Sequence, residues 1–214
     1  MKNLRLLLFF LTMSASLCGW CYDFEKGGIY YNILSEQDKT VEVTDYEEEC
    51  SEYSIPAEVN GYAIISIGAY AFSENEELKS VDIPSSMKTI GKGAFRNCKN
   101  LTAIEIPSSV TTLEERVFYG CEALASVIIQ NGVTTIGKEA FFGCKGLTSI
   151  NIPGSVTTIA KAVFYGCNSL ESVTISDGVT SIGENAFYNC KELKSINIPG
   201  SVTTIAEEVF YKCI

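Results

Sequence analysis

From residue 67 onward, apolar and polar positions repeat with a fixed step of 23 residues. Phe72, Phe95, Phe118, Phe141, Phe164, Phe187 and Phe210 recur without a slip. Leu78, Leu101, Leu124, Leu147, Leu170 and Leu193 keep the same step, as do Ile67, Ile90, Leu113, Ile136, Ile159, Ile182 and Ile205. Within a unit, Ser149-Ile150-Asn151-Ile152 alternates polar and apolar, the pattern of a short half-buried strand. Pro153 follows and, having no backbone donor, ends the ladder. The stretch Gly137–Cys144 (Gly-x-x-Ala-Phe-x-x-Cys) spaces its apolar residues at three and four, which predicts a helical turn or two. Strand, turn, helical turn and return in every unit predict an α/β repeat solenoid. Its short parallel strands would stack about 4.8 Å apart. A lone coil buries too little to fold, so the array length is itself a folding requirement.

A second period lies over the first. Ile-Pro-Gly-Ser-Val-Thr-Thr-Ile-Ala at 152–160 reappears at 198–206, 46 residues on, and the unit between carries Gly183–Phe187 (Gly-x-x-Ala-Phe) instead. This alternation implies growth of the array by copying pairs of units.

The pattern before residue 67 is different. Lys2 and Arg5 precede the apolar run from Leu6 to Leu11, and small residues follow at Ser14, Ala15, Ser16, Cys18 and Gly19. Residues 1–20 thus read as a secretory signal peptide, too short to span a bilayer. A lipid anchor on Cys18 or Cys21 is the rival reading. Residues 21–66 read as an acidic β cap for the solenoid of 67–214, whose last unit is incomplete. One hairpin is expected from 27–34 and 40–44, and a second around Asn60-Gly61. The chain stops at Cys213-Ile214, midway through a unit. Either a longer protein or end-to-end self-association through the uncapped C-terminal coil would cover that end.

The unit order Ile-Pro-x-Ser-Val-Thr-x-Ile-Gly-x-x-Ala-Phe-x-x-Cys-x-x-Leu, from about Ile55 onward, resembles the BspA-like class of bacterial leucine-rich repeats. The leader from Tyr22-Asp23-Phe24 to Gly28-Ile29-Tyr30-Tyr31 is also similar to the segment preceding such repeats. The resemblance implies a leucine-rich-repeat, right-handed coil preceded by a small β-hairpin cap. It also implies a surface or secreted protein engaged in adhesion to host matrix proteins or neighbouring cells. It transfers no specific ligand and no catalytic residue.

Composition narrows the chemistry. The chain has no histidine, the commonest general base and metal ligand. A net charge of −10 argues against nucleic acid as a partner. Residues 22–58 hold eleven acids and two lysines, so the acidity belongs mainly to the leader. A cation site at Asp45 and Glu47–Glu49 is one reading of it, and a solvated acidic rim the plainer one. No nucleophile elbow, phosphate loop or convergent acid pair is visible, so neither an enzyme nor a cofactor is expected.

Nine cysteines in an exported chain would normally mean a disulfide framework. Six of them, Cys98, Cys121, Cys144, Cys167, Cys190 and Cys213, obey the repeat, with Asn75 at the equivalent place in the first unit. Side chains stacked in parallel would hold their Cβ atoms wider than the ~3.8 Å a disulfide prefers. Buried free thiols are therefore expected, with inter-coil disulfides or a metal as alternatives. Cys21 and Cys50 stand outside this column and could form one disulfide.

A ligand face is expected on the strands, where residues flanking the buried Ile and Val point outward together. One row holds Ser80, Ala103, Ser126, Ser149, Ser172 and Ser195, beside Asp82, Glu105, Ile128, Asn151, Thr174 and Asn197. A hydroxyl row at Thr111, Thr134, Thr157, Thr180 and Thr203 is another candidate, as are the rings Tyr119, Phe142, Tyr165, Tyr188 and Tyr211 that follow the repeated Phe from Phe118 onward. The expected partner is a protein or glycan outside the cell.

Overall fold

The computed structural model describes residues 22–47 and 51–213, so the segment 1–20 read as a signal peptide, Cys18, Cys21, Glu48, Glu49 and Cys50 lie outside the described residues. The repeats form a solenoid with two columns of parallel strands. In one, the two-residue strands Thr89–Ile90, Thr112–Leu113, Thr135–Ile136, Thr158–Ile159, Ser181–Ile182 and Thr204–Ile205 lie side by side. In the other, longer strands pair one repeat apart in separate ladders: Ala103–Ile106 with Ser126–Ile129, and Ser149–Ile152 with Ser172–Ile175 and then Ser195–Asn197. Their alternate burial follows from the alternation in the sequence: Ile150 and Ile152 are buried while Ser149 and Asn151 are exposed.

The leader continues the short-strand column. Ile29–Ser35 and Thr40–Tyr46 form an antiparallel hairpin, and Thr40–Tyr46 then pairs in parallel with Tyr62–Ile67. Tyr62–Ile67 in turn pairs with Thr89–Ile90. The turn before it, at Asn60 and Gly61, has φ of 51° and 79°, the left-handed pair that a two-residue hairpin demands. Glu58–Val59 and Tyr62–Ile67 flank this turn as antiparallel partners.

The third side of each coil corrects the sequence reading, because no helix occurs among the described residues. Two positions per coil take left-handed φ, for example Arg116 at 61° and Gly120 at 72°. A right-handed helix needs φ near −60° at every residue, so it cannot pass through either. The consequence is a different use of donors. Gly93, Phe95 and Asn97 donate their N–H groups to Glu115, Val117 and Tyr119 of the following coil, at 2.7–2.9 Å. Ala94, Arg96 and Cys98 instead bond three residues back within their own coil. A helix would spend all six donors on itself. Here half of them bind neighbouring coils together, while the apolar spacing of three and four is unchanged.

Left-handed φ at a residue other than glycine costs about 1–2 kcal/mol. Ala162, at φ 55°, carries that cost without a polar side chain to offset it. Ala162→Gly is expected to raise the unfolding free energy by about 0.5 kcal/mol, after allowing for glycine's greater freedom when unfolded. The urea midpoint checks this.

Inside, the repeated phenylalanines form one continuous stack. Neighbouring ring centroids from Phe72 to Phe187 lie 5.3–5.4 Å apart with planes within 12° of parallel. Each of these rings is fully buried. The stack runs on into the leader through Tyr46 and Tyr53, both 5.5 Å from Phe72.

Candidate functional site

The long-strand face assembles the residues expected on it. Ser149, Ser172 and Ser195 stand in register, and beside them Asn151, Thr174 and Asn197 form a second aligned row. Ser126 and Ile128 align with Ala103 and Glu105. Asp82 and Ser80 are joined by a strand the sequence reading missed: Glu52–Ser54 pairs with Ser80–Asp82 and carries the face into the leader. Ile128 is 49% exposed, an apolar side chain in the middle of an otherwise polar surface. One side-chain link crosses two coils here, from Gln130 Nε2 to Glu105 at 2.9 Å.

The hydroxyl row is used differently. Thr111, Thr134, Thr180 and Thr203 each donate Oγ1–H to a main-chain oxygen of the preceding coil, at 3.0–3.4 Å. These hydroxyls tie coils together, so the row offers a ligand less than its exposure implies. The second aromatic row forms a surface stack, with Tyr119, Phe142, Tyr165 and Tyr188 half-buried at centroid spacings of 4.5–4.7 Å. Rings inside the row have both faces engaged by neighbours, while Tyr119, the first of the row, stacks on Phe142 alone.

The cysteine column lies deep in the core. Cys98, Cys121, Cys144, Cys167 and Cys190 are fully buried free thiols, and Cys213 is partly buried. Each Sγ–H donates to the carbonyl of a phenylalanine in the coil before it, as Cys144 does to Phe118 at 3.2 Å. Asn75 plays the opposite part: its Oδ1 accepts from the N–H groups of Glu77 and Leu78, both at 3.0 Å. Its buried Nδ2 finds no partner among the described residues. Among those residues there is also no cluster of three metal-ligating side chains.

Burial holds the thiols of Cys121, Cys144 and Cys167 protonated, pushing Cys167 from 9.0 up to about 12 and raising the other two well above their ordinary value. In the unfolded chain they ionise near their ordinary value, so alkali favours unfolding. Stability is expected to be intact below about pH 9 and to fall as pH rises toward 12. A urea midpoint measured against pH checks this, with Cys167→Ala expected to shallow the alkaline fall.

The repeat geometry agrees with comparisons to known proteins. Six copies of the BspA type leucine-rich repeat region match residues 46–169 and 136–214. The chain is a BspA-type leucine-rich-repeat protein. This BspA-type chain is also similar to solved structures. The leucine-rich-repeat protein of T. pallidum matches with a TM-score of 0.83 and 27% identity, over 89% of this chain and 88% of that one. A leucine-rich cell surface protein from Faecalibacterium prausnitzii matches at 0.76 and 32% identity, over 89% of this chain and 52% of that one. A leucine-rich-repeat protein from Bacteroides ovatus matches at 0.67 and 31%, over 89% and 57%. The chain thus spans little more than half of the last two. No curated protein matches the sequence.

Proposed function

We propose that this BspA-type chain is an exported, cell-surface or secreted module that holds a protein or glycan against its long-strand face. The observation that carries this reading is the double row of outward-facing residues from Ser80 to Asn197, in register within the ladders of 103–129 and 149–197, with the exposed Ile128 as an apolar anchor between them. Small polar side chains in register make a surface that a partner can approach closely, and a partly exposed apolar residue gains most from being covered. The basic and apolar start of the chain, and its likeness to the Faecalibacterium cell surface protein, support an extracellular setting.

The test is binding of the purified chain to an array of matrix proteins and glycans, repeated at high salt. Saturable, salt-resistant binding is expected, weakened roughly tenfold by Ile128→Asp combined with Asn151→Ala and Asn197→Ala. Binding indifferent to these changes would refute the face. Silence from the folded chain would favour a second reading, a spacer within a longer repeat protein. The roughly half coverage of the Faecalibacterium and Bacteroides structures favours that reading as well.

A further inference from the structure

Where the repeat departs from itself, it opens a cleft. Tyr70, Arg96, Arg116 and Tyr119 line an open recess of about 350 Å³ on the turn side of the first three coils. The chain has only three arginines, and both of those among the described residues line this recess. From Tyr119 to Tyr211 every coil places an aromatic ring at the corresponding surface rung, but one coil earlier the ring is replaced by Arg96. Gly93 is the only glycine at its own left-handed rung, and the Tyr70 ring lies against it: a Cβ there would come within 2.5 Å of the ring. The missing side chain thus seats one tyrosine, and the missing ring admits one guanidinium.

The geometry points to a binding site for a carboxylate carried on a sugar ring, as in a uronic-acid glycan. Arg116 donates Nε–H to Glu139 at 2.6 Å and has Glu115 at 3.5 Å, and no hydrogen bond from its two terminal nitrogens is found among the described residues. Arg96 has its nearest acid, Glu74, at 3.7 Å, beyond hydrogen-bond range. Two guanidinium forks facing one recess suit a planar carboxylate. The surrounding acids choose among anions, since Glu74, Glu115 and Glu139 repel a dianionic phosphate more than a monoanion. The tyrosines supply what a pyranose needs around its carboxylate, apolar ring surface for its C–H groups and phenol groups for its hydroxyls.

This inference rests on the ligand-binding reading and adds a site on a different side of the coil. The test is calorimetric titration of the full chain with a glucuronate-containing tetrasaccharide and with the same sugar after reduction of its carboxyls. Binding of the first alone is expected, weakened roughly tenfold or more by Arg96→Gln or Arg116→Gln. Arg116→Lys, which keeps the charge without the fork, is expected to recover only part of it, and thermal unfolding confirms that each variant is folded. Equal binding of the reduced sugar, or binding unmoved by the arginine changes, would overturn the site. If the chain ignores glucuronate yet binds a matrix protein through the strand face, only the cleft falls. If it binds nothing in either experiment, both readings fall.

Discussion

Phe141→Ala is expected to lower the unfolding free energy by about 3–5 kcal/mol, the range for emptying a buried aromatic site. The ring is fully buried and stacks on Phe118 at 5.3 Å and Phe164 at 5.4 Å. Its loss therefore damages two coil interfaces at once. In a linear array, stability is a sum over nearest-neighbour interfaces, so position along the stack sets the penalty. Phe210 tests this, since it is only partly buried and its single ring neighbour on the stack, Phe187, lies at 5.7 Å. Phe210→Ala is expected to cost about 1 kcal/mol. Urea unfolding followed by far-ultraviolet circular dichroism measures both, and equal losses would mean that the stack does not divide into pairwise interfaces.

Gly132→Ala is expected to cost about 3 kcal/mol or more, far beyond an ordinary surface substitution. Two independent constraints act at this residue. Its φ of 137° is closed to side-chain-bearing residues, and a Cβ would sit 2.0 Å from the main-chain oxygen of Ser108. Because the obstacle is backbone, the coils themselves would have to part. Gly200 is the control, with ordinary φ and nothing within 4 Å of the added carbon. Gly200→Ala is expected to stay within about 0.5 kcal/mol of the parent. Thermal or urea unfolding of the two variants side by side checks the contrast.

Gly132 also explains the 46-residue period. Its N–H meets Ser155 Oγ of the next coil at 3.4 Å, and that hydroxyl donates to Val133 at 2.6 Å. The same exchange recurs two coils later between Gly178, Ser201 and Val179. A coil with Gly at this turn is followed by a coil with Ser, so the alternation is a contact as well as a record of copying.

The strand columns were legible in the sequence because each buried Ile or Val is flanked by a polar residue, and a period of two admits one geometry. The second hairpin of the leader, Glu58–Val59 with Tyr62–Ile67, was legible too, since Asn60-Gly61 names its own turn. The turn side was not. An apolar spacing of three and four fits a helix and also fits the left-handed alternation seen from Gly93 to Cys98, and only φ separates them. Nor could spacing reveal that the cysteines donate a hydrogen bond to the backbone while the Asn75 side-chain oxygen accepts from it. The candidate strand face followed directly from alternation, whereas the cleft is built from the positions that break the repeat, Gly93 and Arg96, which periodicity does not display. Its signal was present as the scarcity of arginine, with Arg96 and Arg116 only twenty residues apart.

The left-handed column has an electrical consequence. In every coil its stack-directed N–H groups, such as those of Phe72, Phe95 and Phe118, point toward the coil that follows, and the carbonyls they meet point back. Peptide dipoles of about 3.5 D each therefore add along this column, as they do along a helix, but with the positive pole toward the higher-numbered coils. Glu207 and Glu208, in the last of these coils, stand at that pole, where negative charge is favoured. The left-handed column is thus polarised along its length, a property that no single repeat possesses, while strand-side N–H groups such as those of Thr111, Glu114 and Gln130 point the other way, to Lys88, Ile90 and Ile106 of the preceding coil.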